Sequence, residues 1–214
     1  MYKIDLQTHS ILSHDGGITK QQYKSLLDKK IVDFIAITDH NEINFALEIN
    51  KSIGNKVIVG EEVKTTQGEV IGLYLRKLIQ PKMSLSNTID EIKAQGGLVY
   101  IPHPFEKIRS GIQKVDLAEI IAKIDIFEVF NSRSLNKNMF KKRVDFADKH
   151  SLPQASSSDA HCHKEVGSSY SEINSVPDKD NLASVLKNAS LKRKNVSLRH
   201  RLCPKINKLK KLYA

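Results

Sequence analysis

The chain of 214 residues has only two cysteines, Cys162 and Cys203, and neither belongs to a CxxC pair. That argues against a disulfide scaffold and against a thiolate zinc site, and it suits a reducing cytoplasm. Long apolar runs are missing too: no stretch of about 18 apolar residues exists, so no transmembrane helix is expected. The opening Met1-Tyr2-Lys3-Ile4-Asp5 reads as the approach to a strand and not as a signal peptide. Internal repeats, low-complexity linkers and a second domain are not apparent. A chain of this length fits one domain and can bury a sizeable core.

Acidic residues are absent from the last stretch. The net charge is +10, and nine Lys or Arg lie from Lys192 to the end with no Asp or Glu among them. Residues 1–191 hold 25 basic and 24 acidic groups, a near-neutral body. The expected division is a barrel domain over 1–191 and a basic tail over 192–214. Such a tail could contact nucleic acid or another acidic surface, although a basic run is more often a solvated end. Leu198, Leu202, Ile206, Leu209 and Leu212 stand at roughly helical spacing, so the tail is expected to be helical and able to dock on the body or a partner. On this reading its charge lies outside the reactive site.

What is present is an alternation of apolar and amphipathic segments. Residues 31–37, 57–59, 98–101 and 124–130 are nearly continuous apolar runs, as expected of strands covered on both faces. Helices are expected over 19–29, 42–50, 117–123, 135–150 and 178–188. Another places Leu85, Ile89 and Ile92 on one face, with Ser86 as its cap and Gly96-Gly97 as its stop. Alternating strands and helices imply a parallel sheet, open or closed into a barrel.

The chemistry lies at the strand ends. Gln7-Thr8-His9 follows the first strand, with Asp15-Gly16-Gly17 shortly after. Thr38-Asp39-His40 follows the second, Gly60-Glu61-Glu62 closes the third, and Pro102-His103-Pro104 closes the 98–101 strand. Residues 128–133 end the next, and Ser158-Asp159-Ala160-His161 follows the stretch after Leu152-Pro153. Singly, each has a bland reading: Asp39 or Asp159 as a helix cap, His103 as part of a rigid turn, Glu62 as a surface acid. Strand C-termini of a parallel α/β fold share one mouth, so together these residues converge.

Imidazoles and carboxylates without thiolates suit Zn²⁺, Mn²⁺ or Fe²⁺. Several carboxylates in one mouth repel unless cations neutralise them. Such ions lower the pKa of bound water to about 7, which provides a hydroxide nucleophile at cell pH. Arg109 and Arg133, a few residues past His103 and Glu128, could orient phosphate oxygens with their guanidinium forks.

In this order the motifs resemble the PHP (polymerase and histidinol phosphatase) family. The match runs through Asp5-Leu6-Gln7-Thr8-His9-Ser10, Ile37-Thr38-Asp39-His40-Asn41, Gly60-Glu61-Glu62, Gly96 to Pro104 and Ser158-Asp159-Ala160-His161, roughly residues 1–170. The stretches around 68–73 and 128–131 are similar to the short, stand-alone members. The resemblance implies a distorted (β/α)7 barrel of parallel strands with its metal site at the C-terminal mouth. It also implies two or three divalent ions and phosphoesterase activity. The implied ligands are His9, Asp15, His40, Glu62, His103, Asp159 and His161, with Gln7 and Glu69 as further candidates.

Two departures stand out. Gln7 replaces the first His of the family's His-x-His, which implies one weaker ion or one fewer. The family's His after the Glu motif is also missing; Glu69 is the nearest residue, and His14 could compensate.

The leading expectation is therefore a metal-dependent hydrolase of phosphate monoesters, acting on a nucleotide or another small phosphorylated metabolite. Asp159 and His161 would stand near the leaving group, with Arg109 and Arg133 on the substrate. The alternatives are a metallo-hydrolase of a non-phosphate substrate and a lapsed metal-binding barrel that engages nucleic acid or a partner through its tail. No membrane association is expected, and the oligomeric state is left open.

Overall fold

The computed structural model describes residues 1–136 and 138–213. In chain order its elements are β1 (Tyr2–Asp5), α1 (Lys20–Asp28), β2 (Phe34–Ile37), α2 (Asn44–Ile53), β3 (Val57–Lys64), β4 (Glu69–Leu73), α3 (Leu85–Ala94) and β5 (Leu98–Ile101). Then follow α4 (Lys114–Ile120), β6 (Ile126–Asn131), α5 (Asn138–Lys149), β7 (Gln154–Ser157), β8 (Tyr170–Ile173), α6 (Leu182–Leu186), β9 (Ser190–Lys192) and α7 (Cys203–Leu212). Part of the helix expected over 135–150 is thus α5, and Lys137 lies outside the described residues.

The strands form one sheet in the order β7-β6-β5-β4-β3-β2-β1-β8-β9. It curls until β7 reaches the far side of β1. There the His9 amide donates to the Ala160 carbonyl at 2.8 Å, and the Ser156 amide donates to Ser171 Oγ at 3.0 Å. The result is a nearly closed barrel, but not the all-parallel one expected. Strands β1 to β3 and β5 to β7 run parallel, whereas β4 is antiparallel to both neighbours and β8 and β9 are antiparallel additions. The cause is the short link between β3 and β4. Four residues cannot carry a parallel crossover, so the chain folds back as a hairpin. Gly68, at φ +144, accepts the left-handed backbone this turn requires.

Period-two alternation along the strands sorts the apolar residues onto two faces. Ile35, Ile37, Val57, Val59, Val99, Ile101 and Phe127 pack with the helices in one cluster. Phe34, Ala36, Ile58, Ile71, Tyr100 and Ile126 meet on the opposite face, inside the barrel, where Leu182 and Leu186 of α6 join them. Burial on both faces explains why these strands read as unbroken apolar runs. Helix α1 begins with a capping box: the Gln22 amide donates to Thr19 Oγ1 at 3.3 Å, and the Thr19 amide donates to Gln22 Oε1 at 2.9 Å. Helix α3 is capped by Ser84 and not by Ser86, because Leu85 already occupies its first turn. Among the described residues no helix is long and apolar enough to cross a membrane.

Candidate metal centre

Short bridges at the strand ends hold the reactive residues. Thr8 pairs with Ala160 just beyond β1 and β7, and His40, just beyond β2, pairs with Glu62 within β3. Asp39 caps no helix; it accepts the Ser10 amide at 2.6 Å and so ties the end of β1 to the end of β2. The first residue before α2 is Ile43, which makes no side-chain cap. His103 and Asp159 take positive φ values of 30° and 52°. Left-handed backbone is costly for such residues and is found where a site over-determines it.

The side chains fall into two groups joined by one carboxylate. Ligand-competent atoms of His9, Asp15, His40 and His161 lie within 4.8 Å of one another, and so do those of Glu62, Glu69 and His103. Glu62 links the groups: its carboxylate is 2.9 Å from His103 Nε2, 3.3 Å from His9 Nε2 and 3.8 Å from His40 Nδ1. Asp159 stands 3.2 Å from His9 and 3.6 Å from His161 Nδ1. Asp15 is 3.4 Å from His161 Nε2 and 3.8 Å from His40 Nε2.

Burial sets the protonation of this cluster. It lowers His9 to about 3, with the charge of nearby His161 adding to the effect. His161 falls to about 4, again mainly through burial, although Asp15 opposes the drop. Both are therefore neutral at cell pH, which is the form that binds metal. His161 Nδ1 lies 2.9 Å from the Asp159 carbonyl, which can only accept, so Nδ1 carries the hydrogen and Nε2 keeps its lone pair toward the cluster. For Glu62, burial would raise the pKa, but the His40 charge and the bond with His103 hold it well below the ordinary range. Glu69 is raised by burial and by repulsion from Glu62, the kind of carboxylate pair that a divalent cation relieves.

A third corner is filled differently. Gln7 donates its amide to Glu62 at 3.0 Å and accepts from Asn131 at 3.3 Å. Arg109 forms an ion pair with Asp159 and donates to Asn131 Oδ1 at 2.9 Å. A guanidinium, two amides and a carboxylate thus satisfy one another beside His9. Glu128 supports the corner from below: it accepts Tyr100 Oη at 2.8 Å and Asn131 Nδ2 at 3.0 Å, and it also binds the His103 amide and Ser157.

Above the cluster opens a cavity of about 450 Å³, and the tail forms part of its wall. Arg133 lies at its edge with one guanidinium nitrogen 2.5 Å from Glu165, and Arg201 and Lys208 line it from the tail side. The tail charge expected to lie apart from the site therefore reaches it. Asn207 of α7 donates to the backbone carbonyls of Asp15 and His161, each at 2.9 Å. A methyl group on Gly17 would stand 2.8 Å from that amide, so glycine keeps the approach open.

The structure thus brings His9, Asp15, His40, Glu62, Glu69, His103, Asp159, His161, Arg109 and Arg133 to one mouth. Gln7 lies at the same place but directs its amide hydrogens to Glu62 and its carbonyl to Asn131. His14 is exposed at the rim, 3.8 Å from Asp15. Sequence reasoning overlooked Asn131, Glu165, Asn207 and Lys208. Asn131 sat in a motif already noted, whereas the other three carry no local pattern.

The whole fold superposes on a two-domain protein from Bacteroides vulgatus that contains a predicted PHP-like metal-dependent phosphoesterase. That match has a TM-score of 0.72 at 15% identity and covers 97% of this chain and 69% of that one. Residues 141–191 match the family model PHP_C, described as PHP-associated. The chain belongs to the PHP family. Two relatives in sequence come from Methanocaldococcus jannaschii, both uncharacterised. MJ0417 is 36% identical over 186 residues, 80% of this chain and 72% of its own length. MJ1587 is 35% identical over 155 residues, 66% of this chain and 91% of its own length. As a PHP protein, the chain carries its histidine and carboxylate groups on a scaffold shared with metal-dependent phosphoesterase-like proteins, although Gln7 departs from the family motif.

Proposed function

We propose that the protein is a metal-dependent hydrolase of phosphate monoesters. The observation that carries this reading is the pair of histidine–carboxylate groups joined by Glu62 beneath a mouth edged with Arg109, Arg133, Arg201 and Lys208. The residues fit divalent cations: His9 Nε2 is buried without a hydrogen-bond partner and faces the carboxylates of Glu62 and Asp159. Unpaired buried polar atoms are costly and call for a partner. One ion would be held by His9, Asp15, His40 and His161, and a second by Glu62, Glu69 and His103, with Glu62 between them. When bound, such ions acidify water and neutralise phosphoryl oxygens.

The protein's own groups supply the rest. Arg109 and Arg133 present guanidinium groups that orient phosphate oxygens, and Lys208 and Arg201 draw an anion toward the mouth. Asp159 and His161, on the loop after β7, stand near the leaving oxygen; Asn131, braced by Glu128, holds Asp159 and Arg109, and Glu165 accepts the His161 amide. A small phosphorylated metabolite or nucleotide suits a cavity of about 450 Å³.

The test is hydrolysis of a simple phosphate monoester by protein loaded with Mn²⁺ or Zn²⁺, compared with a lactone and an amide. Arg133→Ala should lower phosphate-ester turnover about 10²-fold. Equal loss on all three substrates would instead point to a non-phosphate hydrolase.

A further inference from the structure

The only two cysteines of the chain meet at the seam between body and tail. Cys162 follows His161, Cys203 opens α7, and their sulfurs lie with a Glu165 oxygen within 4.8 Å of one another. Both are free and half-buried. A residue touches about ten others, so two cysteines scattered at random through this chain would meet about one time in twenty.

The element they join is loosely held. Helix α7 buries none of its residues. Its Ile206, Leu209 and Leu212 face outward, while polar side chains make the docking contacts. Asn207 reaches the Asp15 and His161 carbonyls, and Lys211 reaches those of Ile11 at 2.6 Å and Gly16 at 3.0 Å. Arg201 and Arg133 exchange bonds through each other's backbone carbonyls. Hydrogen bonds beside water give little net stability when no apolar burial accompanies them. The helix can therefore open, and a bond at its first residue would keep it shut.

We propose that Cys162 and Cys203 form a redox latch: a hydroperoxide converts them to an intramolecular disulfide that fixes α7 at the wall of the mouth, and thiol reductants release it. One cysteine attacks the peroxide as its thiolate and the O–O bond breaks; the displaced oxygen takes up the thiol's proton and leaves as alcohol or water, and the sulfur becomes a sulfenic acid. The second thiol then displaces water from that sulfur as the S–S bond forms. The two thiols lose two electrons in all, and the peroxide gains them.

Two thiols and a carboxylate could instead hold a soft metal ion. Glu165 argues otherwise. One of its oxygens is engaged by Arg133 at 2.5 Å, and the other accepts the amides of His161 at 2.6 Å and Cys162 at 3.1 Å.

The latch goes beyond the hydrolase reading, and its test does not depend on turnover. Reduced full-length protein is exposed to hydrogen peroxide, alkylated, and followed by peptide mass spectrometry and by hydrogen exchange of residues 203–212. The expected result is a Cys162–Cys203 linked peptide from monomeric protein, with α7 exchange slowed at least about tenfold and restored by dithiothreitol. Cys203→Ser and Cys162→Ser proteins should keep fast exchange in peroxide. Thiols that stay reduced, disulfides formed only between chains, or an internal disulfide that leaves α7 exchange unchanged would each overturn the latch. Zn²⁺ protecting both thiols, with no disulfide in its absence, would overturn it in favour of a metal site.

Discussion

Arg109 decides how many cations the mouth must recruit. Its guanidinium already lies on Asp159, beside a Gln7 whose amide hydrogens face Glu62. On the proposed reading, a fixed organic charge serves the third corner and leaves two ions for the rest. Arg109→Met is expected to reduce phosphate-ester turnover about 10²–10³-fold while two ions remain bound. The double variant Gln7→His, Arg109→Met should admit an additional ion, measured as metal content per chain.

Asp5 offers a separate test at the same scale. It is fully buried, and burial raises its carboxyl from 3.8 to about 7 even though the Ser158 hydroxyl and amide donate to it. The native state thus holds a proton that the unfolded chain releases. This contribution is complete below the ordinary carboxylate range and is lost as pH rises toward about 7, by at most about 4 kcal/mol. Urea midpoints of the parent should fall, relative to Asp5→Asn, between about pH 4 and about pH 7. A difference from the variant that stays constant over that window would show a carboxylate already ionised at low pH.

At the scale of elements, legibility followed burial. Strands β2, β3, β5 and β6 were readable because both faces are covered, which leaves an apolar run in the sequence. The hairpin of β3 and β4 was not: 65–68 is short and polar, and the strand after it is brief and interrupted by Gly72. The tail misled for a physical reason. An amphipathic helix is expected to bury its apolar stripe, yet α7 docks through Asn207 and Lys211 and leaves Ile206, Leu209 and Leu212 exposed. Helical spacing therefore located the helix, but its contact with the body runs through polar side chains and not through the apolar stripe.

Because Asn207 grips the backbone of two residues in the first metal group, its effect should be local. Asn207→Ala is expected to weaken the ion at His9, Asp15, His40 and His161 about tenfold. The ion at Glu62, Glu69 and His103 should keep its affinity. Metal titration that resolves two classes of site would show one curve moving and the other staying. A uniform loss would mean that the tail supports the whole mouth and not one group.

For the whole molecule, the metal centre is an assembly of distant chain segments. His9 and His161 come from opposite ends of the body, and the closure of β7 against the end of β1 makes them neighbours. Ordered position after successive strands made most of this site legible, because parallel strand ends share one mouth. Glu165 and Lys208 were not, since each is a lone polar residue whose partner the sequence does not mark. Assembly from so many segments also couples binding to folding. Saturating divalent metal at about 100 times its dissociation constant should stabilise the fold by about 2.7 kcal/mol for each ion bound, seen as a higher thermal midpoint that chelation reverses.

The most direct measurement joins metal content to turnover on one sample purified without chelator. Two divalent ions per chain, with phosphate-monoester hydrolysis that disappears on chelation and returns with Mn²⁺ or Zn²⁺, is the expected result. Fewer than one ion per chain, and no hydrolysis after either metal is added, would contradict the hydrolase reading.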